Sequence, residues 1–154
     1  MANLKAVKLR VFIAAALLAL VPASVAWAKY DSGTYSGKTK VQKLTIHFRA
    51  TQSRLSKLSI RVKFTCSDGD SFFKTLGDWD PQNIAGGRYD ASFEGTSHAS
   101  LYRHRGRIVN RTATGTFTGT QHYNADNQLD PKGAIACRTG LLRYSIKKFV
   151  AKRR

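Results

Sequence analysis

The sequence predicts an all-β fold, an antiparallel sandwich or a small up-and-down barrel of about eight strands, preceded by a signal-peptide helix. Apolar and polar residues alternate with a period of two over most of the chain after residue 28. Short segments rich in glycine and aspartate separate the alternating stretches, and no stretch there has the pattern of a helix. A strand with this alternation has one face in the core and one in water.

The first 28 residues have the order of a secretory signal peptide. Three cations precede an apolar run at 11–21, and small residues follow around 26–28. The run is shorter than the roughly 20 apolar residues that a membrane-spanning helix needs, so a retained anchor is the weaker alternative. We expect cleavage after Ala28 and export to the extracellular space or a periplasm. A single secreted β domain at 29–154, which does not span a membrane, would remain.

The exported domain is strongly basic. The whole sequence has 26 Lys and Arg against 9 Asp and Glu, a net charge of +17, and loss of the three signal-peptide cations leaves +14. Such a charge attracts acidic partners over roughly 8–10 Å at physiological salt. The chain ends in a basic tail, "KKFVAKRR", at 147–154.

The alternation predicts the strands in order. "LTIHFRA" (44–50) points Leu44, Ile46 and Phe48 to the core, and "LSIRVKFTC" (58–66) points its even-numbered residues inward as far as Cys66. The same pattern predicts strands in "GRYDASFEG" (87–95), "TATGTFTGT" (112–120) and "LLRYSIKKF" (141–149).

Turn sequences separate these strands. Asp68-Gly69 predicts a hairpin with a two-residue turn, because such a turn requires positive φ. Further turns are expected at 86–87, at Arg105-Gly106 and at 130–133. "GTYSG" (33–37) recurs as "GTFTG" (115–119), and glycines in such places let strands bend or approach closely, as in a closed sheet.

The sequence contains two cysteines, Cys66 and Cys137. An even number in an exported protein favours one disulfide, and both cysteines are at inward positions next to turn sequences. A free thiol or a metal ligand is the weaker alternative, because a secreted thiol tends to oxidise. We expect a Cys66–Cys137 bond that closes a loop of about 70 residues and joins the last strand to the middle of the fold.

The acidic residues and histidines form no recognised catalytic or metal motif. Aspartates cluster at 68–80, where an oxygen-rich loop could bind calcium, but Asp-Gly and Asp-Pro are common turn sequences. Glu94 is the only glutamate, whereas a glycosidase needs two placed carboxylates. His98 and His104 are expected on the surface of a basic hairpin. We predict no catalytic residue, no metal and no cofactor.

The most distinctive feature is a set of outward-facing cations in two regions of predicted strand. Guanidinium groups bind phosphate, sulfate and carboxylate bidentately, so a polyanion is the favoured partner if these strands are neighbours. The predicted polyanion-binding residues are Arg103, Arg105, Arg107, Arg111, Arg61 and Lys63. The alternative is a solvated basic face without a partner. Sequence-specific nucleic-acid binding is not expected, because most aromatic residues point inward, with Tyr102, Tyr123 and Trp79 as the exceptions.

Much of the chain resembles a group of secreted all-β domains common in actinobacteria. The resemblance rests on "GTYSGKT" (33–39), "LSKLSIRVKFTCSDG" (55–69), "GRIVNRTATGTF" (106–117) and "YNADNQLDPKGAIACRTG" (123–140). These segments include a C-x-D-G and a C-x-[ST]-G pattern. The resemblance implies a secreted β domain with a paired cysteine, and it brings no activity and no catalytic residue.

These observations predict a non-enzymatic secreted domain that binds an acidic extracellular polymer or a cell-surface partner through a cationic face. One alternative is a closed barrel that holds a small apolar ligand in its interior. A less favoured alternative is a hydrolase that uses Glu94 or the histidines.

Overall fold

The computed structural model describes residues 30–77, 79–95 and 98–150, so the predicted signal peptide lies outside it. All regular elements in these ranges are strands, which confirms the all-β prediction. The strands are β1 (Gly33–Lys38), β2 (Thr45–Ala50), β3 (Arg54–Cys66), β4 (Ser71–Leu76), β5 (Gln82–Asn83), β6 (Arg88–Glu94), β7 (Ser100–Val109), β8 (Thr112–Tyr123), β9 (Ile135–Arg138) and β10 (Leu142–Lys148). The described ranges contain no helix long and apolar enough to cross a membrane.

Six strands close into a barrel. The hydrogen-bonded ring runs β3-β2-β1-β10-β8-β9 and returns to β3. Strands β7 and β6 extend the sheet from β8, while β4 and β5 pair with β3. The barrel is therefore present, but its strands do not follow one another in the simple up-and-down order of one predicted form.

Most of the residues that the alternation predicted to point inward lie in the core. Residues such as Ile46, Phe48 and Val62 are buried, and those between them face solvent. The largest fully buried side chains include those of Tyr35, Tyr144, Phe48, Phe64 and Phe117. These rings fill the barrel interior.

The alternation breaks once, in β3. One extra residue of β3 faces β2 near Lys57, whose φ is 52°. This bulge changes the parity of the strand. Leu55 and Leu58, three residues apart, therefore both point to the core.

Most predicted turns form at their predicted positions, although the type of turn can differ from the prediction. The Asp68-Gly69 hairpin forms, but Cys66 donates its N–H to the carbonyl of Asp70, so the loop has three residues, and only Gly69 in it has positive φ. A two-residue turn with positive φ at both positions forms instead at the glycines of 86–87. The prediction of a turn at Arg105-Gly106 is wrong, because both residues lie inside β7.

The two glycine-bracketed repeats lie on either side of β10, in β1 and β8. A Cβ at Gly37 would overlap Ile146 of β10, and one at Gly115 would overlap the Tyr144 hydroxyl. Glycine at these positions lets the β10 side chains pack against both neighbouring strands, which supports the predicted role of the repeat in closing the sheet.

The predicted disulfide is present. Cys66 of β3 and Cys137 of β9 lie directly opposite each other and are bonded across 71 residues of sequence. The bond joins β3 to the separate short strand β9, not to the last strand as expected, because a corner at Gly140 (φ 66°) separates β9 from β10.

Candidate polyanion-binding face

Strand β7 carries arginines at alternate positions. Arg103, Arg105 and Arg107 are exposed, and the residues between them face the core or are half-buried. Side chains on one face of a strand repeat about every 6.7 Å. The three guanidinium groups therefore project in a row, with β6 on one side and β8 on the other.

Arg107 lies directly opposite a second arginine. The register of β6 and β7 pairs Arg107 with Arg88, and on its other side Arg107 faces Thr114 of β8. Like charges placed opposite each other in an antiparallel pair are destabilising. Arg88 and Arg107 therefore repel each other at this position of the sheet.

The adjacent row carries two more arginines. Arg105 lies opposite Thr116 of β8, with a hydrogen bond from its Nε to the threonine Oγ1 of 3.4 Å. Thr116 in turn lies opposite Arg143 of β10. Arg105 and Arg143 are thus separated only by one strand that presents a hydroxyl group.

Together these four residues form a continuous cationic surface, which we call the arginine face: Arg88, Arg105, Arg107 and Arg143. They line a shallow double depression around Gly106, Gly115 and Thr116. Arg88 and Arg105 line one half of it together with Asp90, and Arg107 and Arg143 line the other half. The glycines contribute only backbone there, so the arginine side chains form the rim of the depression.

Arg103 belongs to the same row but is already engaged. Its Nε and Nη2 donate to the two carboxylate oxygens of Asp90 at 3.0 and 2.7 Å. These hydrogen bonds lower the pKa of Asp90. The Asp90 carboxylate is thus held by Arg103, although Arg105 is its neighbour across the strand pair.

The structure does not bring the other predicted residues to this face. Arg111 follows β7 in the turn, 3.7 Å from the carboxylate of Asp31. Arg61 and Lys63 lie on β3, which β9 and β8 separate from β7 in the sheet. The Arg61 guanidinium lies 5.5 Å from the centre of the Phe73 ring. The six predicted residues therefore do not form one surface.

Sequence reasoning missed Arg88 and Arg143 as members of the site. Both occupy outward positions of strands that the alternation had predicted correctly. For Arg143 the missing information was the strand order, because β10 reaches β8 only through barrel closure, and for Arg88 it was the register that places it opposite Arg107. The local sequences of β8 and β10 contain no signal that these two strands pair with each other.

His104 is buried, which contradicts the predicted surface position. Its Nε2 lies 2.5 Å from the Tyr144 hydroxyl, and its Nδ1 lies 3.2 Å from Oε1 of Gln82. A proton on Nδ1 satisfies both partners, with Tyr144 donating to Nε2. The hydroxyls of Tyr89 and Tyr144 are also hydrogen-bonded to each other.

Burial determines the protonation states of His104, Tyr89 and Tyr144. It lowers the pKa of His104 to about 3 and raises the pKa values of Tyr89 and Tyr144. All three side chains are neutral at pH 7. Together with Gln82 they form a hydrogen-bonded group, and among the described residues no buried side-chain nitrogen or oxygen lacks a partner.

The other candidate catalytic residues, Glu94 and His98, do not belong to this hydrogen-bonded group. The Glu94 carboxylate is hydrogen-bonded to Nδ1 of His98 at 2.8 Å, and both side chains are exposed. Among the described residues no group of three or more His, Cys, Asp or Glu side chains could hold a metal ion. Tyr102, expected at the surface, is buried, while Trp79 and Tyr123 are half-buried.

Comparison of the chain with protein-family models, with curated proteins and with solved structures gives no significant match.

Proposed function

We propose that this chain is a secreted, non-enzymatic β-domain that binds an acidic extracellular polymer or cell-surface component through the arginine face. The observation that carries the proposal is the placement of Arg88 directly opposite Arg107, with Arg105 and Arg143 on the next row. A polyanion that spans both rows would replace repulsion between these cations with charge-assisted hydrogen bonds.

Three further features support this proposal. The net charge of the exported domain, +14 after loss of the three signal-peptide cations, attracts polyanions from a distance. Thr114 lies next to Arg107 in one row and Thr116 lies between Arg105 and Arg143 in the other, so their hydroxyls provide neutral donors to sulfate, phosphate or carboxylate. Asp90 lies opposite Arg105 at the edge of the arginine face, but both of its carboxylate oxygens already accept hydrogen bonds from Arg103.

Two double variants with equal charge loss test this proposal on immobilised heparin. Arg105→Gln/Arg107→Gln removes two charges from the arginine face, and Arg61→Gln/Lys63→Gln removes two from β3. We expect the first variant to elute at clearly lower salt and the second to elute close to the wild type. Binding that tracks only net charge would lower both alike and would contradict a localised site.

Secretion is part of the same proposal. It is supported by the Cys66–Cys137 disulfide, since such bonds persist in oxidising compartments. The intact mass of protein recovered from the culture medium should correspond to a chain that begins at Lys29. A mass that includes Met1 would contradict cleavage after Ala28.

A further inference from the structure

A second concave site lies at the end of the barrel where β9 joins β3 to β8. It is a cavity of about 250 Å³ whose apolar wall consists of the Cys66–Cys137 bond, Phe72, Tyr123 and Ile135. We call it the β9 pocket. None of its lining residues lines the depression of the arginine face, so the two sites are distinct.

The aromatic wall of the β9 pocket is held in place by its neighbours. The Phe72 ring stacks on the buried ring of Phe64 at 5.3 Å. The Tyr123 ring meets Phe72 nearly perpendicularly at 6.1 Å, and the Tyr123 hydroxyl donates to Gln121 at 3.0 Å. Both rings are half-buried, so part of their surface stays open to the pocket.

The two carboxylates of Asp68 and Asp70 and the amide of Asn127 complete the lining. One oxygen of Asp68 accepts the backbone N–H of Asp70 at 3.1 Å, which holds the turn at the edge of the pocket. In the described part of the chain, neither carboxylate forms an ion pair, although the sequence has 26 Lys and Arg. The rim is therefore negative in a protein that is otherwise basic.

We infer that the β9 pocket binds a small alkylated ammonium compound. Aromatic rings attract an ammonium group, and the carboxylates complement its charge. The volume lies below the usual range of roughly 300–1,000 Å³ for drug-sized ligands, so the occupant is small. Calcium fits less well, because it requires 6–8 oxygen ligands, whereas much of this lining is apolar. The inference does not depend on the arginine face.

Choline is the probe for this inference, and 3,3-dimethylbutan-1-ol is its neutral analogue of the same shape. We expect choline to cause saturable shifts in the amide NMR signals of Phe72, Tyr123 and Ile135, with an affinity about tenfold above that of the neutral analogue. Equal affinities, shifts without saturation, or shifts caused by calcium and not by choline would each overturn the inference.

A pair of charge-matched variants locates the effect. Asp68→Asn/Asp70→Asn keeps an oxygen acceptor for the turn and should weaken choline binding by about tenfold. Asp80→Asn/Asp126→Asn removes two exposed acids that do not line the pocket and should leave binding unchanged. An equal loss in both variants would assign the effect to overall charge and overturn the site. If the first variant does not fold, the comparison of choline with its neutral analogue on the wild type decides.

Discussion

At the scale of single residues, His104 has the most unusual environment. Its ring is fully buried, yet both nitrogens have hydrogen-bond partners, Tyr144 and Gln82. A buried imidazole that stays neutral binds no proton until the pH falls far below its usual pKa of about 6.5. The unfolded chain protonates its histidine much earlier, so acid favours unfolding through this residue.

The direction of this pH dependence follows from the lowered pKa of His104 in the folded protein. Burial lowers the folded-state pKa of His104 to about 3, so between pH 6.5 and 3 the unfolded state binds more protons. This contribution to stability is complete above pH 6.5 and is lost as the pH falls. Below pH 6 it should decrease by roughly 1 kcal/mol per pH unit. Urea unfolding between pH 6.5 and 5 measures it.

His104→Gln is the control for this pH dependence, because glutamine keeps a polar side chain but does not titrate in this range. The variant should be less stable at pH 7 and should show a shallower pH dependence between 6.5 and 5. An unchanged pH dependence would assign the acid sensitivity to other groups.

The sequence contains a signal for the burial of His104, but the wrongly predicted turn at Arg105-Gly106 obscured it. Arg103, Arg105 and Arg107 at outward positions imply that Tyr102 and His104 point inward. Interpreting Arg105-Gly106 as a turn broke that alternation. Glycine in a strand can mark a close approach of other groups instead of a turn.

At the scale of elements, the pairing of β7 with β8 depends on two glycines. Gly106 and Gly115 lie opposite each other in the register. A Cβ at Gly106 would overlap the Thr114 carbonyl oxygen and the Tyr89 hydroxyl, and one at Gly115 would overlap the Tyr144 hydroxyl. The glycines therefore provide the space in which the two tyrosine hydroxyls meet.

Gly106→Ala should destabilise the protein by roughly 1–3 kcal/mol, because the overlap includes a backbone atom that cannot rotate away. Gly119→Ala, on β8, is the matched substitution, since its nearest contact would be a side-chain carbon of Tyr102 at 3.0 Å. We expect a smaller loss there. Denaturant unfolding compares the two, and equal losses would indicate that the glycine pair has no special packing role.

Most strands could be predicted from the sequence, but several of the pairings between strands could not. Period-two alternation identified the inward faces of β2, β3, β8 and β10 because one face of each strand is buried. The pairings of β9 with β3 and of β10 with β8 join segments far apart in sequence and result from closure of the barrel. Only the Cys66–Cys137 pair gave a sequence signal for one of them. The four members of the arginine face could therefore not be assembled from the sequence.

At the scale of the whole molecule, the disulfide reinforces barrel closure. It spans 71 residues and bonds the strand β9 to β3, with which β9 shares only two residue pairs. A cross-link of this length reduces the conformational freedom of the unfolded chain.

Cys66→Ala/Cys137→Ala should lower the free energy of unfolding by up to roughly 4 kcal/mol, the loop-entropy value for a cross-link of this length. Urea denaturation of the variant and of reduced wild type should give similar midpoints, both below that of the oxidised protein. A variant as stable as the oxidised wild type would mean that native contacts alone hold β9 in place.

The most direct test of the central claim maps which arginines a polyanion covers. Wild-type protein is treated with an arginine-selective dicarbonyl reagent with and without bound heparin fragment, and the modified residues are identified by mass spectrometry. We expect protection of Arg88, Arg105, Arg107 and Arg143, while exposed Arg54 and Arg61 of β3 stay reactive. Protection spread evenly over all these arginines, or confined to β3, would contradict a binding site at the arginine face.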